Sequence, residues 1–207
     1  MNRFLRVLAS AAVLLHGSAA KAGLSGDLFS SFAGFSLGET TFNEVQATIG
    51  DAAIVRKGDA GESLASLCYS VDSSGYVLFL AGELDGPEHY LGGFDISDRP
   101  SRTPCSPWLK NMPKPNLNIG GLHLGMSMPA FEAAVGVPVK WKASQGIASF
   151  ESKKKMSAAE LAKLPAEAQA QIAHGDAPDY YDVVITISAT FESGKLRELR
   201  VWKTETR

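Results

Sequence analysis

Two stretches of this chain set apolar residues at helical spacing between matching punctuation. Leu37 to Gly50 reads LGETTFNEVQATIG, and Leu124 to Gly136 reads LGMSMPAFEAAVG. In the first, Phe42, Val45 and Ile49 form the apolar stripe of a short helix. Thr41 with Glu44 makes a capping box, and Gly50 supplies the stop. In the second, Ser127 is the cap and Pro129 sits in the first turn, where its missing N–H costs nothing. Met128, Phe131 and Val135 are the stripe, and Gly136 closes it. A shift of 86 places Phe42 on Met128, Val45 on Phe131 and Gly50 on Gly136, whereas the Leu-Gly pairs need 87. One residue is therefore inserted between the pair and the cap.

The pattern after each helix changes from helical spacing to alternation. Ala65, Leu67, Tyr69 and Val71 face one way and Ser66, Cys68 and Ser70 the other, as in a half-buried strand. Asp72-Ser73-Ser74-Gly75 reads as a turn into GYVLFLAGEL. After Gly136, Tyr181, Val183, Ile185, Ile187, Ala189 and Phe191 share one face. Glu192-Ser193-Gly194-Lys195 reads as a hairpin turn to the last strand. The fold class predicted is α+β: two tandem units, each a short helical segment packed on one face of an antiparallel β-sheet.

The units are placed at 30–98 and 117–206. Residues 99–116 between them hold Pro100, Pro104, Pro107, Pro113 and Pro115. That density disfavours helix and strand ladders and predicts an extended linker. The second unit carries a helical insertion at about 152–178. There Ser157 with Glu160 is a capping box, Pro165 breaks or kinks the run and Gly175 ends it.

Residues 1–22 have the order of a secretory signal, with Arg3 and Arg6 before the apolar VLASAAVLL and small residues thereafter. The run is too short to span a membrane, which needs about 20 residues. Cleavage is expected after Ala20 or Ala22, and no cysteine follows either position to carry a lipid anchor. The expectation is a soluble periplasmic or secreted protein. Loss of Arg3, Arg6 and Lys21 from 20 basic residues leaves 17 against 22 acidic ones, a net charge of −5. Such a balance argues against nucleic acid or an anionic membrane as partner. Cys68 and Cys105 reach an oxidising compartment as a pair and are expected to form a disulfide. Cys68 alternates away from the core residues, so that bridge predicts a linker running back across the open side of the sheet.

No catalytic constellation is legible. His89, His123 and His174 lack metal-ligand spacing, and no Gly-x-Ser-x-Gly elbow or phosphate loop occurs. Asp176, Asp179 and Asp182 lack the rhythm of a calcium loop. The reading is a non-enzyme with no cofactor and no metal. What remains is surface. If Leu199 and Val201 face the core, Glu198, Arg200 and Trp202 face outward, joined by Thr186, Ser188 and Thr190 of the neighbouring strand. Tryptophan beside arginine on a polar sheet has the composition of a binding hot spot. The alternative is a Trp202 covered by the linker, the insertion or the other unit, and Trp141 between Lys140 and Lys142 faces the same choice.

LHLGMSMPAFEAAVGVP at 122–138, and more weakly FSLGETTFNEVQATIGD at 35–51, resemble the phrase that opens the fold shared by the beta-lactamase inhibitor protein (BLIP) and BamE (SmpA/OmlA) families. The resemblance implies a helical segment and a three-stranded antiparallel sheet per unit, in tandem as in the inhibitor. The chain departs from BamE in being doubled and lacking the lipid-bearing cysteine. It departs from the inhibitor in a cysteine that pairs toward the linker. Nothing matches the inhibitor's contact loops, so beta-lactamase binding is not implied. Two functions follow: a module that binds another envelope or extracellular protein through its sheet faces, inhibitor-like or as an assembly factor, or a small-ligand carrier with an apolar cleft between the units.

Overall fold

The computed structural model describes residues 25–59, 63–100, 104–109, 113 and 115–206. The leader expected at 1–22 lies outside the described residues. The chain opens with a hairpin, β1 (Ser31–Phe32) and β2 (Phe35–Ser36), then α1 (Phe42–Ile49). Four strands follow: β3 (Val55–Lys57), β4 (Leu64–Val71), β5 (Gly75–Gly82) and β6 (Gly93–Ser97). After a short β7 (Ser106–Pro107) the same order returns. A hairpin of β8 (Asn118–Ile119) and β9 (Leu122–His123) leads into α2 (Met128–Val135). Strands β10 (Lys140–Lys142), β11 (Gln145–Lys155), β12 (Tyr180–Glu192) and β13 (Lys195–Thr206) complete it, with α3 (Ala158–Ala162) and α4 (Ala166–His174) between β11 and β12.

The two helices form where their stripes and caps place them. Thr41 and Glu44 exchange both bonds of the capping box, and Ser127 Oγ accepts from Ala130 N–H. Each such cap stabilises by about 1 kcal/mol. The chain reaches both caps in the same way. Gly38 N–H donates to Leu91 O while Leu91 N–H donates to Thr40 O. Gly125 N–H donates to Leu196 O while Leu196 N–H donates to Met126 O. The span from glycine to acceptor is one residue longer in the first half, which is the insertion that offsets 87 from 86.

The strands make one antiparallel path, β10-β11-β12-β13-β6-β5-β4-β3, with β7 added parallel on β4. The order is palindromic, since each half is a four-stranded meander and they join through their last strands. In the joining ladder Glu198 pairs with Ser97, Arg200 with Asp95 and Trp202 with Gly93. The Asp95–Arg200 pair is thus the centre about which the halves are arranged.

All the alternating apolar sets fall on one side. Leu67, Phe79, Phe94, Val201, Ile187 and Ala148 lie across successive strands in one cluster with Phe42, Val45 and Ile49 of α1 and Phe131 and Val135 of α2. Both helices therefore cover the same face.

The linker does more than space the halves. Ser106 and Pro107 pair with Tyr69 and Ser70 at the sheet edge, against the expectation that proline density would exclude a ladder. An edge strand tolerates proline because its missing donor can face away from the ladder. Trp108 then turns to the core side, 5% exposed, with its ring 5.9 Å from Tyr69 and 6.5 Å from Phe79. Cys105 meets Cys68 across this edge, with Cα atoms 4.5 Å apart. The linker's expected run across the open side includes residues 101–103, which lie outside the described residues. The insertion is two short helices, capped at Ser157 and stopped by a left-handed Gly175. β11 runs on to Lys155, so strand takes up the first residues assigned to the insertion, while β12 begins at Tyr180, just beyond its end.

Candidate functional site

Strand alternation puts Glu198, Arg200 and Trp202 of β13 opposite Leu199 and Val201, which are buried. The β12 register then sets Thr190 beside Glu198, Ser188 beside Arg200 and Thr186 beside Trp202. These six residues share the face away from both helices. One row crosses the whole sheet: Cys68, Leu78, Asp95, Arg200, Ser188, Ile147, Lys140. Its second-half part is open, with Arg200 exposed and Ile147 45% exposed, whereas on the first-half side Cys68 and Asp95 are buried and Leu78 is half-buried.

Trp141 does not join this face. It pairs with Gly146, whose neighbour Ala189 is a core residue, and its ring lies 6.2 Å from Phe131 and 5.6 Å from Phe191. Its indole N–H donates to Glu132 at 2.6 Å. Lysines on both sides hide this assignment in the sequence, because a three-residue edge strand gives too few alternations to fix its face.

Arg200 reaches across the joining ladder to Asp95, donating from Nη2 at 2.6 Å and from Nε at 3.2 Å to the same Oδ2. Asp95 is 5% exposed and its Oδ1 has no hydrogen-bond partner. Burial pushes this carboxyl up to about 6, beyond what Arg200 draws back, and nearby Glu198 adds to the rise. The folded protein therefore keeps a proton on Asp95 at a pH where the unfolded chain, near 3.8, has lost it. Asp95's contribution to stability is full below about 4, is lost as pH rises through about 6, and is flat above. The loss is on the order of 3 kcal/mol. Asp95→Asn should remove this component and be no less stable than the parent at pH 7. Urea unfolding of both proteins from pH 4 to 8 measures it; parallel profiles would disprove the assignment.

Trp202 lies across glycines of the first half. A Cβ on Gly93 would collide with Trp202, and one on Gly82 would lie 3.4 Å from its Cζ2. The same indole borders a cleft of about 720 Å³ lined by Gly82, Asp85, Tyr90, Gly92, Lys203 and Glu205, among others. The cleft lies between the first-half segment 82–92 and the end of β13. Asp85 caps the turn by accepting Gly82 N–H through Oδ2, and burial pushes its carboxyl upward. Lys203 Nζ is held by Glu205 at 2.6 Å and by Leu37 O at 3.2 Å. A cleft between the units was the alternative reading of the sequence, but its residues were not named; their one legible sign is the glycine pair Gly92-Gly93 entering a strand, which marks a close approach by another group.

Among the described residues no three His, Cys, Asp or Glu side chains gather as a metal would require. Among the described residues, too, no helix is long and apolar enough to cross a membrane. No known protein family, curated protein or solved structure matches the chain.

Proposed function

We propose that this protein is an exported, non-enzymatic module that binds another envelope or extracellular protein through its open sheet face. The observation that carries this reading is the grouping of Trp202, Arg200, Glu198, Thr186, Ser188 and Thr190 on the face opposite both helices. On the second-half side this face stays open and leaves a rigid surface. Its centre offers an indole beside a guanidinium, the side chains that dominate interface energies. Export rests on the leader and on the Cys68–Cys105 bridge. We read the doubled order of hairpin, helix and four strands as a duplicated unit of the BLIP/BamE type, a reading the palindromic sheet supports. Duplication lengthens the face and gives each small unit a shared core.

The test is capture of a partner from envelope extract by immobilised wild type and by Arg200→Glu and Ser188→Arg, with Lys163→Glu at the C-cap of α3 as a control. Retention should fall about tenfold or more in both face variants, on the scale of a hot-spot loss. It should be unchanged in the control. Arg200→Glu sets a second carboxylate against buried Asp95 and is expected to be less stable, so its retention is read on the folded fraction, and Ser188→Arg, which leaves the Asp95–Arg200 pair in place, decides. A partner held equally by all would refute the face.

A second reading is a small-ligand carrier, and the 720 Å³ cleft where the two halves meet is the observation that favours it. Its volume falls within the range of about 300–1,000 Å³ usual for ligand sites.

A further inference from the structure

The two halves of the sheet end differently at their outer edges. β3 covers β4 as far as Ser66, and β10 covers β11 as far as Ile147. Beyond Ser66 the linker strand β7 closes the edge of β4, where Trp108 N–H donates to Ser70 O at 2.9 Å. Beyond Ile147, β11 continues to Lys155, and among the described residues no strand covers it on that side.

Two bonds fix which way the backbone groups of this stretch point. Phe191 N–H donates to Ser144 O, and Met156 N–H donates to Asp179 O. The register between them is unbroken, so the even-numbered residues of β11 turn their N–H and C=O groups to β12. Ser149, Glu151, Lys153 and Lys155 turn theirs outward. These four residues and Ser152 are exposed. Among the described residues the Glu151 side chain has no partner. Lys153 Nζ donates to Tyr180 Oη at 2.7 Å, which uses one of the three ammonium donors. A strand with a row of uncovered backbone groups is a template for another strand.

We propose that this edge pairs antiparallel with the same edge of a second copy of the chain, about a two-fold axis at Ser152. In that register Glu151 lies opposite the partner's Lys153, and Lys153 opposite the partner's Glu151. Ser149 lies opposite the partner's Lys155, so every outward N–H and C=O from Ser149 to Lys155 meets a mate. The charges choose this register over its neighbours. A slide of two residues one way sets Glu151 against the partner's Glu151, and the other way sets Lys153 against the partner's Lys153. A slide of a single residue sets outward groups against inward ones. Opposite charges directly across a ladder support the pair and like charges oppose it, so one arrangement is favoured. The axis stands perpendicular to the sheet, so the open faces of the two copies continue one another. Trp202 and Arg200, two strands away, stay uncovered. The dimer does not depend on what that face binds.

Sedimentation equilibrium of the oxidised protein, at up to about 1 mM so that even a small interface shows, should reveal a reversible dimer. Glu151→Lys and Lys153→Glu should each weaken it at least about tenfold, because each turns both Glu–Lys pairs into like charges. An equimolar mixture of the two variants should recover the association of the wild type, since every 151–153 pair is then Glu beside Lys again. Poorly folded variants would not complement each other in this way. Under mild oxidation Ser152→Cys should link two copies and Ser149→Cys should not. Residue 152 alone meets itself in this register, while the two 149 positions lie about 20 Å apart. A protein that stays monomeric throughout overturns the proposal, whether the amides of Glu151 and Lys153 exchange freely or are protected by another cover. So does a dimer that neither charge variant weakens, a mixture no better associated than either variant alone, or linking at 149 in place of 152.

Discussion

Reducing the Cys68–Cys105 bond should lower the stability of the folded protein by about 4 kcal/mol. The two cysteines are 37 residues apart, and closing a loop of that length removes about this much free energy from the unfolded chain's advantage in the chain-entropy model. The loop holds β5 and β6, the central strands of the first half, so the tether acts on the part of the chain that joins the two meanders. The folded state has its own stake in the bridge. Cys105 leads directly into β7, whose pairing with β4 carries Trp108 to its place against Tyr69 and Phe79. For a chain of this size the loss corresponds to a fall in Tm on the order of 10 °C. Thermal and urea unfolding of the oxidised protein, the reduced protein and Cys105→Ser give the number. A change below about 1 kcal/mol would mean that β7 and Trp108 hold the linker without the bond, and that the unfolded loop is not entropically important.

What the sequence revealed, and what it hid, divides by range. The helices at 42–49 and 128–135 were legible because stripe, cap and stop are local and agree with one another. The alternation at 183–191 and 199–202 was legible because those strands are long enough for the period to show. That placed Trp202, Arg200 and Glu198 on one face before any contact was known. The hairpins that precede each helix were missed. Their signature is a two-residue turn at positive φ between apolar residues, Ala33-Gly34 before α1 and Gly120-Gly121 before α2. The same shift of 87 that aligns the Leu-Gly pairs also aligns Phe32 with Ile119 and Phe35 with Leu122. The joining of β13 to β6 could not be read at all, because no local pattern says which strand of one meander will meet which strand of the other. For that reason nothing local in the sequence marks Asp95. Its burial and its pairing with Arg200 come from a partner 105 residues away.

Phe79→Ala should destabilise the whole molecule, and not the first half alone, by about 4 kcal/mol. Phe79 is fully buried, with ring centroids 5.2 Å from Phe35, 5.9 Å from Tyr69 and Phe94, and 6.5 Å from Phe32 and Trp108. Those rings come from the β1–β2 hairpin, from β4 and β6, and from the linker. Each edge or tilted ring pair adds about 0.5–1.5 kcal/mol beyond the area it buries, and five partners cannot all close over the cavity a methyl would leave. The second half has its own aromatic group of Phe131, Trp141 and Phe191, none of which touches Phe79. Both groups belong to one core, and the joining ladder connects them where Phe94 meets Phe79 edge-on and pairs with Val201. If β6 and β13 are one cooperative sheet, loss of the first cluster must carry the second with it. Circular dichroism of the sheet and the fluorescence of Trp141, read in a Trp108→Phe/Trp202→Phe background, should then shift to the same lower midpoint. A Trp141 transition left at its original midpoint while the sheet signal splits in two would show that the halves fold separately and that the ladder at Asp95–Arg200 is only a contact between them.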